Sequence, residues 1–97
     1  MSGDVLLTEA EIAGGLERLP DWTVEGEAIR RTVEARTFMD GIRIVDTVAE
    51  ASEVLNHHPD IDIRWTSLTF ACSTHAAGGI TNADFQLAAR IDQIVAG

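Results

Sequence analysis

At 97 residues with a net charge of −9, the chain has room for one domain, 1–97, and a core that buries only about 60–65% of the unfolded surface, so it needs a stabilising helper. Its single cysteine, Cys72, excludes an intramolecular disulfide and a Cys-rich zinc site, which leaves oligomerisation. Sixteen acids against seven bases repel nucleic acid and anionic lipid, while 45% hydrophobic and 24% charged residues argue against disorder.

The opening Met1-Ser2-Gly3-Asp4 carries no basic region and leads into no apolar stretch of signal-peptide length. No apolar run approaches the roughly 20 residues needed to span a bilayer. A soluble, cytoplasmic protein that contacts neither membrane nor nucleic acid is therefore expected.

Thr8-Glu9-Ala10-Glu11 reads as a capping box that opens a helix, with Ile12, Leu16 and Leu19 as its apolar edge and Pro20 after its end. Gly14-Gly15 weakens that helix. Trp22-Thr23-Val24 and the stretch 28–36 flank a tight turn at Glu25-Gly26-Glu27. In the second of these Ile29, Val33 and Ala35 share one parity and Arg30, Thr32, Glu34 and Arg36 the other, the alternation of a half-buried strand.

From about Phe38 to Asn56 the period changes. Ile44, Val48, Ala51 and Leu55 form an amphipathic stripe that Pro59 brings to an end near His57. Period two then returns: Ile61, Ile63 and Trp65 alternate with Asp60, Asp62 and Arg64, and Leu68, Phe70 and Cys72 with Thr69, Ala71 and Ser73. Thr66-Ser67 is the candidate turn between them. Gly78-Gly79 breaks the strand, and Thr81-Asn82-Ala83-Asp84 resembles a second capping box, opening a helix that buries Leu87, Ala88, Ile91, Ile94 and Val95. The fold class implied is α+β: order α-β-β-α-β-β-α, a four-stranded antiparallel sheet with helices packed on one face.

All three histidines flank the second hairpin. A turn at Thr66-Ser67 makes paired positions sum to 133, which sets His58 opposite His75, with His57 adjacent in the chain. Taken singly, each could be a helix-terminating or turn residue; together they form an acid–base candidate, because imidazole gives and takes protons near neutral pH. Glu53, four residues before His57, could orient it from the same helix face, or be a solvated surface acid. Asp84 reads first as a helix first-turn acid, Cys72 as a small core residue, and Trp22 and Trp65 as core anchors. A zinc site is disfavoured, since consecutive His57 and His58 diverge and no His-x-His or His-Glu-x-x-His occurs.

Glu53-Val54-Leu55-Asn56-His57-His58-Pro59-Asp60, followed by Ser73-Thr74-His75, by Gly79-Ile80-Thr81 and by Asp84, closely resembles the signature of the pterin-4a-carbinolamine dehydratases. Leu19-Pro20-Asp21-Trp22 and the order of elements match as well, so the resemblance covers nearly the whole chain. It implies a hydro-lyase that converts 4a-hydroxytetrahydropterin to quinonoid dihydropterin in tetrahydropterin recycling, without metal or organic cofactor, as a homodimer or homotetramer. By the same resemblance His57, His58 and His75 are the catalytic histidines, Pro59, Ser73, Thr74 and Ala76 line the pterin site, and Glu53 and Asp84 are supporting acids. Ile61 stands where animal members carry an aromatic, and Ala83 where they carry a basic residue. Some relatives serve as protein-binding or assembly cofactors, so a non-catalytic role on the same fold is the alternative.

Overall fold

The computed structural model describes residues 5–97; Met1-Ser2-Gly3-Asp4, read above for targeting signals, lies outside them. Both expected capping boxes form. Thr8 caps α1 (Glu9–Arg18) with Glu11 reaching back, and Thr81 caps α3 (Asn82–Ala96) with Asp84 doing the same. Between them run β1 (Thr23–Glu25), β2 (Ala28–Glu34), α2 (Phe38–Leu55), β3 (Asp60–Arg64), β4 (Ser67–Cys72) and a 3-10 turn at His75–Ala77. The strands form one antiparallel sheet in the order β1-β2-β4-β3, as the α+β reading requires.

The inner face of the sheet carries the expected parity. Ile29 and Val33 of β2 and Leu68, Phe70 and Cys72 of β4 are buried against Val48 of α2 and Leu87, Ala88 and Ile91 of α3. Each such large side chain contributes about 1.5–3 kcal/mol by leaving water. The outer face is polar, as Asp60, Asp62 and Arg64 are exposed and Thr32 pairs with Thr69 through a 2.9 Å hydroxyl bond. Arg31 shares the inward parity of Ile29 and Val33. It is held by Asp92 of α3 at 2.5 Å and by Asp21 at 3.5 Å, while Trp22 Nε1 donates to the same Asp92 oxygen at 2.8 Å.

Gly14-Gly15 does not shorten α1. Gly15 is buried where the helix meets the Phe85 ring, with no room for a Cβ, and Gly14 faces open space. The first hairpin turns as expected, with Gly26 at φ +61 as first loop residue between Glu25 and Ala28.

The second hairpin departs from expectation. Arg64 pairs with Ser67, so the loop is Trp65-Thr66 rather than Thr66-Ser67, and paired positions sum to 131. Two contacts from β2 and the residue after it fix this choice: Glu34 lies opposite Ser67, and the Ala35 amide donates to the Thr66 carbonyl at 2.8 Å. Trp65 is consequently no core anchor but a 78% exposed turn residue at φ +54, whereas Trp22 is buried at 2%. A slip of two preserves parity, so every core assignment on β4 survives it.

Candidate active site

Helix α2 delivers the histidine pair. After Leu55 the chain leaves the helix through Asn56, whose left-handed φ of 52 suits a C-cap position. The residue before Pro59 is driven to extended geometry, where consecutive side chains point to opposite sides. His57 accordingly turns inward, its side chain 16% exposed, and His58 outward at 55%.

Each finds a carboxylate, but not the one sequence spacing suggests. Glu53 bonds His58 at 2.5 Å, not His57, because the helix ends before an i,i+4 pair with His57 can form. His57 Nε2 bonds Asp84 Oδ1 at 2.6 Å across 27 residues of chain. Asp84 is therefore more than a helix-start acid. Its carboxylate is fully buried, and Oδ2 accepts from the Thr81 amide at 2.9 Å and from the Thr74 hydroxyl at 2.9 Å. These donors, together with the N-terminal dipole of α3, stabilise a charge that burial would otherwise penalise by several kcal/mol.

Thr74 also positions the third histidine. Its amide donates to the Gly79 carbonyl at 2.8 Å, and its carbonyl accepts from the Gly79 amide at 3.3 Å. That pairing closes a loop that includes Gly78 at φ +79. His75 opens the 3-10 turn of this loop and is exposed, as is Ala76. The observed register, carried past the end of the ladder, sets His57 level with Thr74 and His58 level with Ser73, not His58 opposite His75. The contact between Asp84 and both His57 and Thr74 agrees with it.

The remaining expected site residues lie on the same stretches of chain as the histidines. Pro59 is half-buried just before β3, and the Ser73 hydroxyl donates to the Glu27 carbonyl at 2.6 Å, tying the first hairpin turn to the site. Sequence reasoning gave the Thr81 hydroxyl no site role, although it lies 2.8 Å from that of Thr74; its signals were the capping box and the Gly79-Ile80-Thr81 motif. Cys72 is buried, and its thiol pKa is pushed far up by desolvation, with further contributions from the Asp84 and Asp60 charges, so it is no nucleophile at neutral pH. Among the described residues no group of three or more His, Cys, Asp or Glu could hold a metal ion. A concave space of about 630 Å³ lies elsewhere, between α1 and α3, and contains no histidine. No helix among the described residues is long and apolar enough to cross a membrane.

Comparison with known proteins identifies the family and the fold. The family described as pterin 4 alpha carbinolamine dehydratase matches residues 5–94. A Nocardia farcinica protein provisionally named pterin-4-alpha-carbinolamine dehydratase is 54% identical over 89 residues, covering 92% of this chain and 94% of its own. A Roseiflexus castenholzii protein of the same provisional name is 49% identical over 90 residues, covering 93% and 97%. A crystal structure described as a transcriptional coactivator/pterin dehydratase from Brucella melitensis superposes with TM-score 0.89 at 29% identity, over 94% of this chain and 99% of the other. A pterin dehydratase-like protein described as a RuBisCO assembly factor of the alpha-carboxysome shares the fold, with TM-score 0.62 at 19% identity over 76% and 86%. With a family match spanning nearly its full length and relatives at about half identity, the chain belongs to the pterin 4 alpha carbinolamine dehydratase family, a family named for a hydro-lyase.

Proposed function

We propose that the protein dehydrates 4a-hydroxytetrahydropterin to quinonoid dihydropterin and water by histidine general acid–base catalysis, in tetrahydropterin recycling. The observation that carries this reading is the partly buried His57, hydrogen-bonded to a fully buried carboxylate at one end of a hairpin whose adjoining loop presents His75. Cleaving the C4a–O bond requires a proton on the departing oxygen, which leaves as water. Removing the N5 proton lets its electron pair form the C4a–N5 double bond. Two imidazoles in opposite protonation states supply both transfers, each worth about 10²–10⁴-fold.

His57 and His75 are the proton-transfer pair in this reading, and His58, exposed and paired with Glu53, serves mainly to bind. Pro59, Ser73, Thr74 and Ala76 border the pterin, and Glu53 and Asp84 support the histidines. The reaction needs neither metal nor organic cofactor, and it runs in the cytoplasm. A homodimer or homotetramer is the working form, supported by the five-residue strand β3 at the sheet edge, where Ile63 is 40% exposed.

Purified protein given synthetic 4a-hydroxytetrahydropterin should form quinonoid dihydropterin well above the spontaneous rate, with or without a chelator. His57→Ala and His75→Ala should each lose about 10²-fold or more in kcat, and the double variant little beyond the worse single. His58→Ala should chiefly raise KM. A folded wild type no faster than buffer would overturn the reading in favour of a non-catalytic assembly role. A monomer mass at micromolar protein would remove the oligomer.

A further inference from the structure

The buried bonds around Asp84 run in one direction. Thr74 has a single hydroxyl proton, and that proton is donated to Asp84 Oδ2. Its 2.8 Å contact with Thr81 Oγ1 must therefore be accepted, with the Thr81 hydroxyl as donor. Thr81 Oγ1 accepts in turn from the Ala83 amide at 3.2 Å. Every link points the same way: Ala83 N–H to Thr81, Thr81 O–H to Thr74, Thr74 O–H to the carboxylate.

Oδ2 thus receives two donors, one from Thr74 and one from the Thr81 amide, and only Oδ1 remains for His57. Between an imidazole and a carboxylate at a helix N-terminus, the shared proton belongs to the imidazole, ordinarily the stronger base by far. His57 Nε2 is therefore a donor in both protonation states of the ring. Among the described residues Nδ1 bonds no protein group, and no buried side-chain nitrogen or oxygen lacks a partner, so Nδ1 opens to solvent.

We infer that the Thr81–Thr74 hydroxyl relay, acting through Asp84, fixes His57 as the Nε2–H tautomer and leaves Nδ1 as the one nitrogen that exchanges protons with substrate. Thr81, Thr74 and Asp84 are positioning residues. The Thr74 hydroxyl, 6% exposed as a residue and committed to Asp84, acts on the imidazole and not on the pterin. The inference rests on the dehydratase reading for its kinetic consequence alone; the tautomer itself is independent of it.

Imidazole ¹⁵N spectra of the protein, with His57 assigned by its loss in His57→Gln, read the tautomer directly. The wild type should show the neutral ring protonated on Nε2. Asp84→Asn should invert it, since the amide donates to Nε2 and drives the proton to Nδ1, with kcat falling by about 10²–10⁴-fold. Should that variant fail to fold, Thr81→Val decides. The ring should drift toward a mixture of tautomers and kcat fall about tenfold with KM held within about twofold, and Thr81→Ser should restore both. A wild-type ring protonated on Nδ1 overturns the inference. So does a Thr81→Val protein that loses stability while keeping spectrum and kcat, because Thr81 would then be only a helix cap. A wild type with no turnover but the Nε2–H ring would refute the dehydratase reading and leave the tautomer assignment standing.

Discussion

Two adjacent glycines in α1 should respond in opposite senses to the same substitution. Helix propensity alone favours alanine over glycine by about 1 kcal/mol at either position. At Gly14 a new Cβ meets nothing within 4 Å, so Gly14→Ala should stabilise by about 0.5–1 kcal/mol. At Gly15 the Cβ would sit 2.5, 2.7 and 2.9 Å from Cε1, Cζ and Cδ1 of Phe85, well inside contact distance. Relief requires the half-buried ring to swing out of the α1–α3 seam or the helices to part, an overpacking cost of about 1–3 kcal/mol. That cost is the expected gap between the two variants, since the propensity term cancels, and Gly15→Ala should end up neutral to about 2 kcal/mol destabilised. For a chain this size each kcal/mol moves Tm by about 4–8 °C. Urea unfolding followed by the fluorescence of buried Trp22, at one protein concentration, measures the difference. Phe85→Leu removes the clashing ring atoms, so in a double-variant cycle it should cost less in the Gly15→Ala background than in the wild type. Equal stabilisation by the two alanines would refute the packing argument.

The alkaline limb of stability should belong to Cys72. The chain has no Tyr and its seven bases are all Arg, so between about pH 9 and 11 no other side chain titrates. Burial raises the folded thiol above its ordinary value of 9.0; above that pH the unfolded chain loses a proton that the native one keeps. Unfolding free energy should then drop by about 1.4 kcal/mol per pH unit, and Cys72→Ala should flatten the slope. Asp92→Ala should cost about 2–3 kcal/mol in denaturant unfolding, because it leaves Trp22 Nε1 without its acceptor and Arg31, 17% exposed, with only the longer 3.5 Å pair to Asp21; Asp92→Asn, which keeps an acceptor, should cost less. Trp65→Asn should raise stability by about 1 kcal/mol, since asparagine tolerates φ +54 and the exposed indole buries little.

What was legible in the sequence was local. Caps at Thr8 and Thr81 and the switches between periods of about 3.6 and 2 depend on neighbours a few residues away, and the element order follows from them. The β3–β4 turn was not local. Judged on its own chemistry, a bulky aromatic at positive φ is a poor turn residue, and only pairing of β4 with β2 selects Trp65-Thr66 over its neighbour. The resulting slip of two left the core parity intact but changed which residues face the histidines across the hairpin. Arg31 was hidden for a related reason: its partner Asp92 is 61 residues away, and nothing near β2 announces it. The pairing of Glu53 failed because spacing rules hold only within one helix, and Asn56 ends α2 one residue before His57. That the histidines flank the second hairpin was readable from the sequence, whereas the bond of His57 to Asp84 depends on where α3 docks.

Asp84 holds two posts at once, closing the capping box of α3 and receiving His57. Ordinarily the third position of a helix is permissive, and evolution can exchange Asp, Glu, Gln or Asn there with little effect on fitness. Here that freedom is gone. A glutamate would reach the Thr81 amide from a longer arm and displace the imidazole, and an asparagine would keep the cap while reversing the proton. On the chemistry proposed above, residue 84 answers to His57 as well as to the cap, so relatives that lack that chemistry should differ there while the helix still begins at its Thr81 cap.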